Sequence, residues 1–270
     1  AQAVDIWSKH AKSFGLGQFM GYDLPTGRRG SIPDSKTYKR VYPNGGWRST
    51  TIVSNSIGQG EILMTPIQLA NMMATIANEG YYYTPHIIKR IEGHKIDKKF
   101  TTKHVTTIDK KYFKPIISGL FDVYNLGTAR SLRVEGIDIC GKTGTSENFA
   151  KIGGKKVQLK DHSIFVAFAP KDNPKIAIAV MVENGGYGAT IAGPIASLMI
   201  EKYLRQKITR IDLEKRILAT SLQSEYAIFG GLSETVKLQM RISDSLLKKK
   251  TFIPTVKVKI DSTKENKKAI

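Results

Sequence analysis

The stretch Cys140-Gly141-Lys142-Thr143-Gly144-Thr145-Ser146 follows a strand-like run, Leu132 to Ile139, and combines one lysine, two threonines and two glycines at its end. A strand edge beside a nucleophile can dock an extended peptide by main-chain hydrogen bonds. Lys142 would set a positive charge near a substrate carboxylate. Thr143 and Thr145 would supply hydroxyl donors. Gly144 would allow backbone and substrate to approach closely. The N–H of Thr145 is then a candidate oxyanion donor.

Working outward, Asp161 to Ala169 and Lys175 to Glu183 read as two apolar strands, with Lys171-Asp172-Asn173-Pro174 as the turn between them. With the Lys142 strand they form an expected antiparallel meander. Ile191 to Leu204 is expected to be an amphipathic helix packed on that sheet. Upstream, Thr65-Pro66 marks a helix start: Thr65 can cap the free N–H groups and Pro66 suits the first helical position. Ile67, Ala70, Met73, Ala74 and Ala77 form its apolar face and Gly80 ends it. Val4 to Phe14 is expected to be helical, as is Asp109 to Tyr124 with a late start or kink at Pro115. Gly17 to Asn55 shows no period and reads as a long loop. Tyr81 to Ile91 reads as extended, Gly93 to Thr107 as a surface hairpin, and Asn148 to Lys160 as a basic loop.

Several blocks together resemble the transpeptidase domain of class B penicillin-binding proteins, most closely the cell-elongation type, penicillin-binding protein 2. They are Ser54-Asn55-Ser56-Ile57-Gly58-Gln59-Gly60-Glu61, Met64-Thr65-Pro66-Ile67-Gln68-Leu69-Ala70, Phe165 to Pro170, and Val182-Glu183-Asn184-Gly185-Gly186. Lys-Thr-Gly is one of the three signatures of the serine acyl-transferases that penicillin inactivates. Gly127-Thr128-Ala129 resembles the family's Gly-Thr-Ala segment ahead of that strand, and Tyr22-Asp23-Leu24-Pro25 its Gly-Ile-Asp-Leu-Pro segment. The resemblance runs from about Ala1 to about Leu204.

The other two signatures, Ser-x-x-Lys and Ser-x-Asn, should precede Lys-Thr-Gly. Here Ser-x-x-Lys occurs only as Ser245-Leu246-Leu247-Lys248, in the basic tail. Ser-x-Asn occurs only as Ser146-Glu147-Asn148, fused to the Lys142 strand. Both stand in the wrong order. The expectation is a C-terminal part of a longer protein that carries one wall of the active site, with no nucleophile in this chain.

Composition bounds the alternatives. The 270 residues are 41% hydrophobic with a net charge of +19. No helix-turn-helix or RNA-binding aromatic motif accompanies the lysines, so nucleic acid is not an expected partner. A solvated surface explains the charge, with acidic envelope polymers or an anionic membrane surface as further options. No run of eighteen apolar residues is present. Cys140 is the single cysteine and reads as a buried structural thiol. No Cys/His spacing points to zinc.

The expected fold class is α+β: a partial penicillin-binding-protein transpeptidase fold, serine β-lactamase-like, with an antiparallel sheet flanked by helices. Residues 1–204 would form the C-terminal part of the transpeptidase domain, and 205–270 a basic C-terminal extension, partly disordered beyond Lys248. The resemblance implies a peptidoglycan D,D-transpeptidase with a serine acyl-enzyme mechanism in the parent protein and no cofactor. Lys142, Thr143, Gly144 and Thr145 would bind substrate, Lys142 and the Thr145 N–H acting in catalysis. The implied partners are peptidoglycan stem peptides, β-lactams and elongation-machinery membrane proteins. The implied location is the periplasmic side of the bacterial inner membrane, with the anchor outside this chain. The alternative is a non-catalytic module that binds cell-wall peptides or envelope proteins.

Overall fold

The computed structural model describes residues 2–24 and 26–229. Its elements in chain order are α1 (Gln2–Lys12), α2 (Ser35–Val41), α3 (Pro66–Ala77), β1 (Tyr81–Tyr83), α4 (Lys98–Thr101), β2 (Lys103–Val105), α5 (Phe113–Asn125), β3 (Cys140–Ser146), β4 (Phe149–Ile152), β5 (Lys155–Gln158), β6 (His162–Ala169), β7 (Ile176–Val182), α6 (Ala192–Arg205) and α7 (Ile211–Leu218). Short 3-10 turns occupy Ser49–Ile57, Lys110–Tyr112, Arg130–Leu132 and Gln223–Phe229. Residues up to Leu222 form one compact unit, and Gln223 begins a second.

The central sheet is antiparallel in the order β3-β6-β7, the expected meander. Its register sets Lys142 opposite Val166, Thr143 opposite Phe165 and Thr145 opposite Ser163. Strand β6 lies in the middle and alternates between two cores. Phe165, Ala167 and Ala169 join Tyr124, Leu132, Ile139, Ala192, Ala196 and Ile200 on the α6 side. Val166 and Phe168 join Leu69, Met73 and Cys140 on the side of α3 and α5. Helices thus cover both faces of the sheet. The α3 entry is as expected: Thr65 Oγ1 accepts from the Gln68 N–H and the Gln68 side chain accepts from the Thr65 N–H, a capping box ahead of Pro66.

Several expectations need correction. The strand begins at Cys140, not near Leu132. A 3-10 turn ends at Leu132, whose carbonyl is taken by the Tyr124 hydroxyl, and Val134 bridges Ile137 around a tight turn. The apolar alternation there marks separate residues dropping into the α6-side core. The segment Gly17 to Asn55 is not free of structure. It holds α2, capped by Asp34, whose carboxylate accepts from the Thr37 N–H at 2.9 Å and pairs with Lys12 at 3.1 Å. The Thr37 N–H, with the Lys12 ammonium, holds the Asp34 carboxyl down to about 2. Asn148 to Lys160 is a β4–β5 hairpin. The region 93–107 does not pair with itself: β2 pairs with β1, Tyr81 opposite Val105. Helix α5 starts at Phe113, which puts Pro115 in its first turn, where its missing N–H costs no hydrogen bond. The tail beyond Lys248, with Ser245 to Lys248 and Pro25, lies outside the described residues.

Packing continues past Leu204. Glu201 on α6 is fully buried. Its carboxylate accepts from the Thr209 N–H at 2.9 Å, from the Thr209 hydroxyl, and from Arg210 Nε at 3.0 Å. Arg210 also reaches the Leu132 carbonyl at 3.1 Å and Ser197 Oγ at 3.2 Å. Burial pushes the Glu201 carboxyl up, but these donors outweigh it and its pKa is lowered. A carboxylate lowered in the folded state stabilises the fold above its ordinary pKa, near 4.5, and that contribution is lost as pH falls through the lower folded value.

Two outcomes test this packing. Arg210→Met should destabilise the protein by about 3 kcal/mol at neutral pH, because it strands a buried charge. The deficit should shrink as pH falls, because the stranded Glu201 carboxyl takes up a proton in the variant at a pH where Arg210 still keeps it ionised in the wild type. Urea denaturation at pH 7 and at low pH reads both. Cys140 is fully buried, and burial pushes its thiol up to about 12. Iodoacetamide at pH 8 should leave it unmodified in the native protein and alkylate it stoichiometrically in urea. Native-state labelling at the rate of a free thiol would contradict the core described here.

Candidate active-site strand

Strand β3 carries the Lys-Thr-Gly-Thr segment at an edge of the central sheet. Among the described residues it pairs with β6 on one side and with no strand on the other. Its first residues, Cys140 and Gly141, are buried, and from Lys142 the strand emerges toward solvent. The buried start anchors the register and the emergent part is available.

Lys142 is exposed, and its ammonium donates to the Thr143 carbonyl at 2.8 Å. Among the described residues no carboxylate pairs with it. Thr143, Gly144 and Thr145 are half-buried. Residues of one parity on an antiparallel strand share a face, so Thr143 and Thr145 lie on one face and Lys142 and Gly144 on the other. The four residues named from the sequence are therefore contiguous on one open strand edge and offer an ammonium, two hydroxyls and free main-chain groups.

Neighbours that the sequence did not assign to the site fix this strand and its surroundings. Ser163, opposite Thr145, is fully buried; its hydroxyl donates to the Tyr187 carbonyl at 2.9 Å and accepts from the Ala192 N–H at 3.1 Å. It ties the start of α6 and the preceding loop to the sheet. A lone serine in an apolar run is the signal that could have found it. In that loop, a Cβ on Gly188 would fall 2.3 Å from the Ile164 carbonyl oxygen and 2.6 Å from that of Gly144. Only glycine lets the loop cross the strand this closely. Thus Gly188 supports the strand, while Asn184 turns the end of β7 at φ +55. The Asn184 side chain accepts from Asn148 Nδ2 at 2.6 Å and its N–H donates to His162 Nδ1 at 3.2 Å. Asn148, last residue of the misplaced Ser-x-Asn, thereby fastens the β4–β5 hairpin. Thr128 lies with its Oγ1 3.0 Å from Thr143 Oγ1.

Residues 3–201 match the family described as penicillin binding protein transpeptidase domain. The peptidoglycan D,D-transpeptidase MrdA of Acinetobacter baumannii is 34% identical over 203 residues, covering 70% of this chain and 30% of that protein. The crystal structure of Pseudomonas aeruginosa PBP2 in complex with WCK 5153 superposes with a TM-score of 0.63 at 29% identity, over 77% of this chain and 44% of that one. The complex between PBP2 and MreC from Helicobacter pylori gives 0.60 at 27%, over 75% of this chain and 36% of that one. The chain thus spans less than half the length of these relatives. With the antiparallel sheet, the helices on both its faces and the Lys-Thr-Gly strand at its edge, the chain has a partial penicillin-binding-protein transpeptidase fold and belongs to the family of penicillin-binding-protein transpeptidase domains.

Proposed function

We propose that this chain, as the C-terminal part of a transpeptidase domain spanning about residues 1–204, supplies the substrate-binding strand of a peptidoglycan D,D-transpeptidase. The observation that carries this reading is the Lys142-Thr143-Gly144-Thr145 segment on an unpaired strand edge, with an exposed ammonium that has no carboxylate partner among the described residues. A stem peptide ending in D-Ala-D-Ala would lie along β3 in extended form. Its terminal carboxylate would meet the Lys142 charge and the Thr143 hydroxyl.

The nucleophilic serine and its lysine would come from a preceding segment of the full-length protein. The serine oxygen attacks the penultimate D-Ala carbonyl, and the developing oxyanion takes the Thr145 N–H. The C–N bond then breaks and the terminal D-Ala leaves with a proton on its amine. The acyl ester is next attacked by an amine from a neighbouring stem peptide, which forms the cross-link and frees the serine. Splitting the exchange in two keeps each barrier lower. A β-lactam places its own carboxylate and acyl carbon in the same positions and stops at the ester. The kinship with proteins of the MrdA and PBP2 type supports a place in the elongation machinery, on the periplasmic face of the inner membrane. No helix of the described residues is long and apolar enough to cross a membrane.

In the full-length protein, Lys142→Ala should slow acylation by a β-lactam on the order of 100-fold while the melting temperature stays close to wild type, the scale seen when a preorganised electrostatic contact is removed. An unchanged rate would take Lys142 out of the site. The 270-residue chain alone should form no covalent adduct with a labelled β-lactam by intact-mass spectrometry. A stoichiometric adduct on any of its serines would overturn the assignment of the nucleophile to a preceding segment.

A further inference from the structure

Thr128 holds a hydroxyl against the candidate substrate strand from a different element, on a segment fixed at both ends. Helix α5 ends at Asn125. The Gly127 N–H then returns to the Asp122 carbonyl at 3.0 Å, and the Ala129 N–H to the Val123 carbonyl at 3.2 Å. A Cβ on Gly127 would lie 2.9 Å from both the Val123 Cα and its carbonyl oxygen, so the chain passes this close only without one. On the other side Ala129 is fully buried in the core with Tyr124 and Leu132. Between these two fixed points Thr128 is itself exposed, and its Oγ1 stands 3.0 Å from Thr143 Oγ1. Nothing in the packing of α5 or β3 requires a hydroxyl there, because the contact lies outside both cores.

We propose that Thr128 is a positioning residue for substrate-carboxylate recognition: it donates to Thr143 Oγ1 and so directs the Thr143 proton toward the substrate. The inference rests on the reading given above, in which Thr143 contacts the carboxylate. A hydroxyl carries one proton and two acceptor lone pairs. Thr143 can accept from Thr128 and still donate to an anion, and a donor behind it polarises its O–H toward that anion. If Thr143 instead spent its proton on Thr128, it would present a lone pair to a carboxylate, which repels it. A bound carboxylate therefore selects the arrangement in which Thr128 is the donor. Lys142 supplies charge at this site, and the Thr128–Thr143 pair supplies direction.

The test uses the full-length protein and the second-order rate of acylation by benzylpenicillin and by its methyl ester, which lacks the carboxylate charge. Thr128→Val keeps the shape and removes the hydroxyl. It should slow acylation by the free acid about tenfold, the scale of one hydrogen bond in a chain ending on a charged acceptor, and slow acylation by the ester far less. Thr128→Ser should restore most of the rate with the acid. Thr128→Val combined with Thr143→Val should be no slower than Thr143→Val alone. Equal losses with acid and ester, or a fully additive double variant, would show a merely structural role and overturn the inference. If Lys142→Ala and Thr143→Val slow the acid reaction but Thr128→Val does not, the inference fails and the site reading stands. If all three leave the acid rate unchanged, both fall.

Discussion

Strand β6 buries both of its faces, and the geometry of the candidate site follows from that. Phe165, Ala167 and Ala169 face α6, while Val166 and Phe168 face α3 and α5. A slip of one residue would exchange the two sets, pushing the Phe168 ring into the space of Ala167 or Ala169 and leaving voids opposite. Each mismatch of that size costs on the order of 1–3 kcal/mol, so the register is strongly specified. Strand β3 inherits it. Because Cys140 and Gly141 are locked against Phe168 and Ala167, Lys142 to Thr145 emerge at a fixed height on the edge.

The N-terminal part reaches the same rigidity by other means. Among the described residues it has one short α-helix and one 3-10 segment between α1 and α3 and no sheet, so its main-chain groups need partners elsewhere. Buried Gln68 on α3 provides several: its Nε2 donates to the Gln18 carbonyl at 2.8 Å and the Arg29 carbonyl at 3.0 Å. Asn71 donates to the Phe14 carbonyl at 3.0 Å. Buried Tyr38 donates to Glu61 at 2.7 Å and accepts from Asn55 at 2.8 Å, which links α2 to the turn entering α3. Burial, with Glu61 beside it, pushes the Tyr38 hydroxyl up to about 12, so it stays a donor at any ordinary pH. Here buried amides and hydroxyls replace the ladder of a sheet.

This contrast explains what the sequence made legible. Strands β6 and β7 and helices α3 and α6 announce themselves by apolar runs, by Thr65-Pro66 and by Lys171-Asp172-Asn173-Pro174, because local pattern and tertiary burial agree. Helix α2 does not: five of its seven residues are Ser, Lys, Thr or Arg, and a cap at Asp34 with a buried Tyr38 holds it in place. The run from Leu132 to Ile139 misleads because alternating burial is shared by a strand and by an irregular chain lying on a core. For the candidate site, Lys142 to Thr145 stand out by residue type. Thr128 could not, since its part depends on where α5 ends, and Ser163 is marked only as a lone serine in an apolar run.

Among the described residues, no strand pairs with the outer edge of β3. An unpaired strand edge is a template for unwanted pairing with another chain, and proteins blunt such edges with lysine, short length or cover. This strand has seven residues, of which the first two are buried and the third is an exposed lysine. That ammonium must be desolvated by any apolar strand that docks beside it. A ligand that brings its own carboxylate meets the opposite balance, because the charge it approaches is compensated on contact. The same lysine would thus discriminate against indiscriminate pairing and, under the proposed function, would favour an extended peptide with an anionic end. In the proposed reading, the specificity of the edge arises from this difference between partners, and the Thr143 hydroxyl refines it by direction.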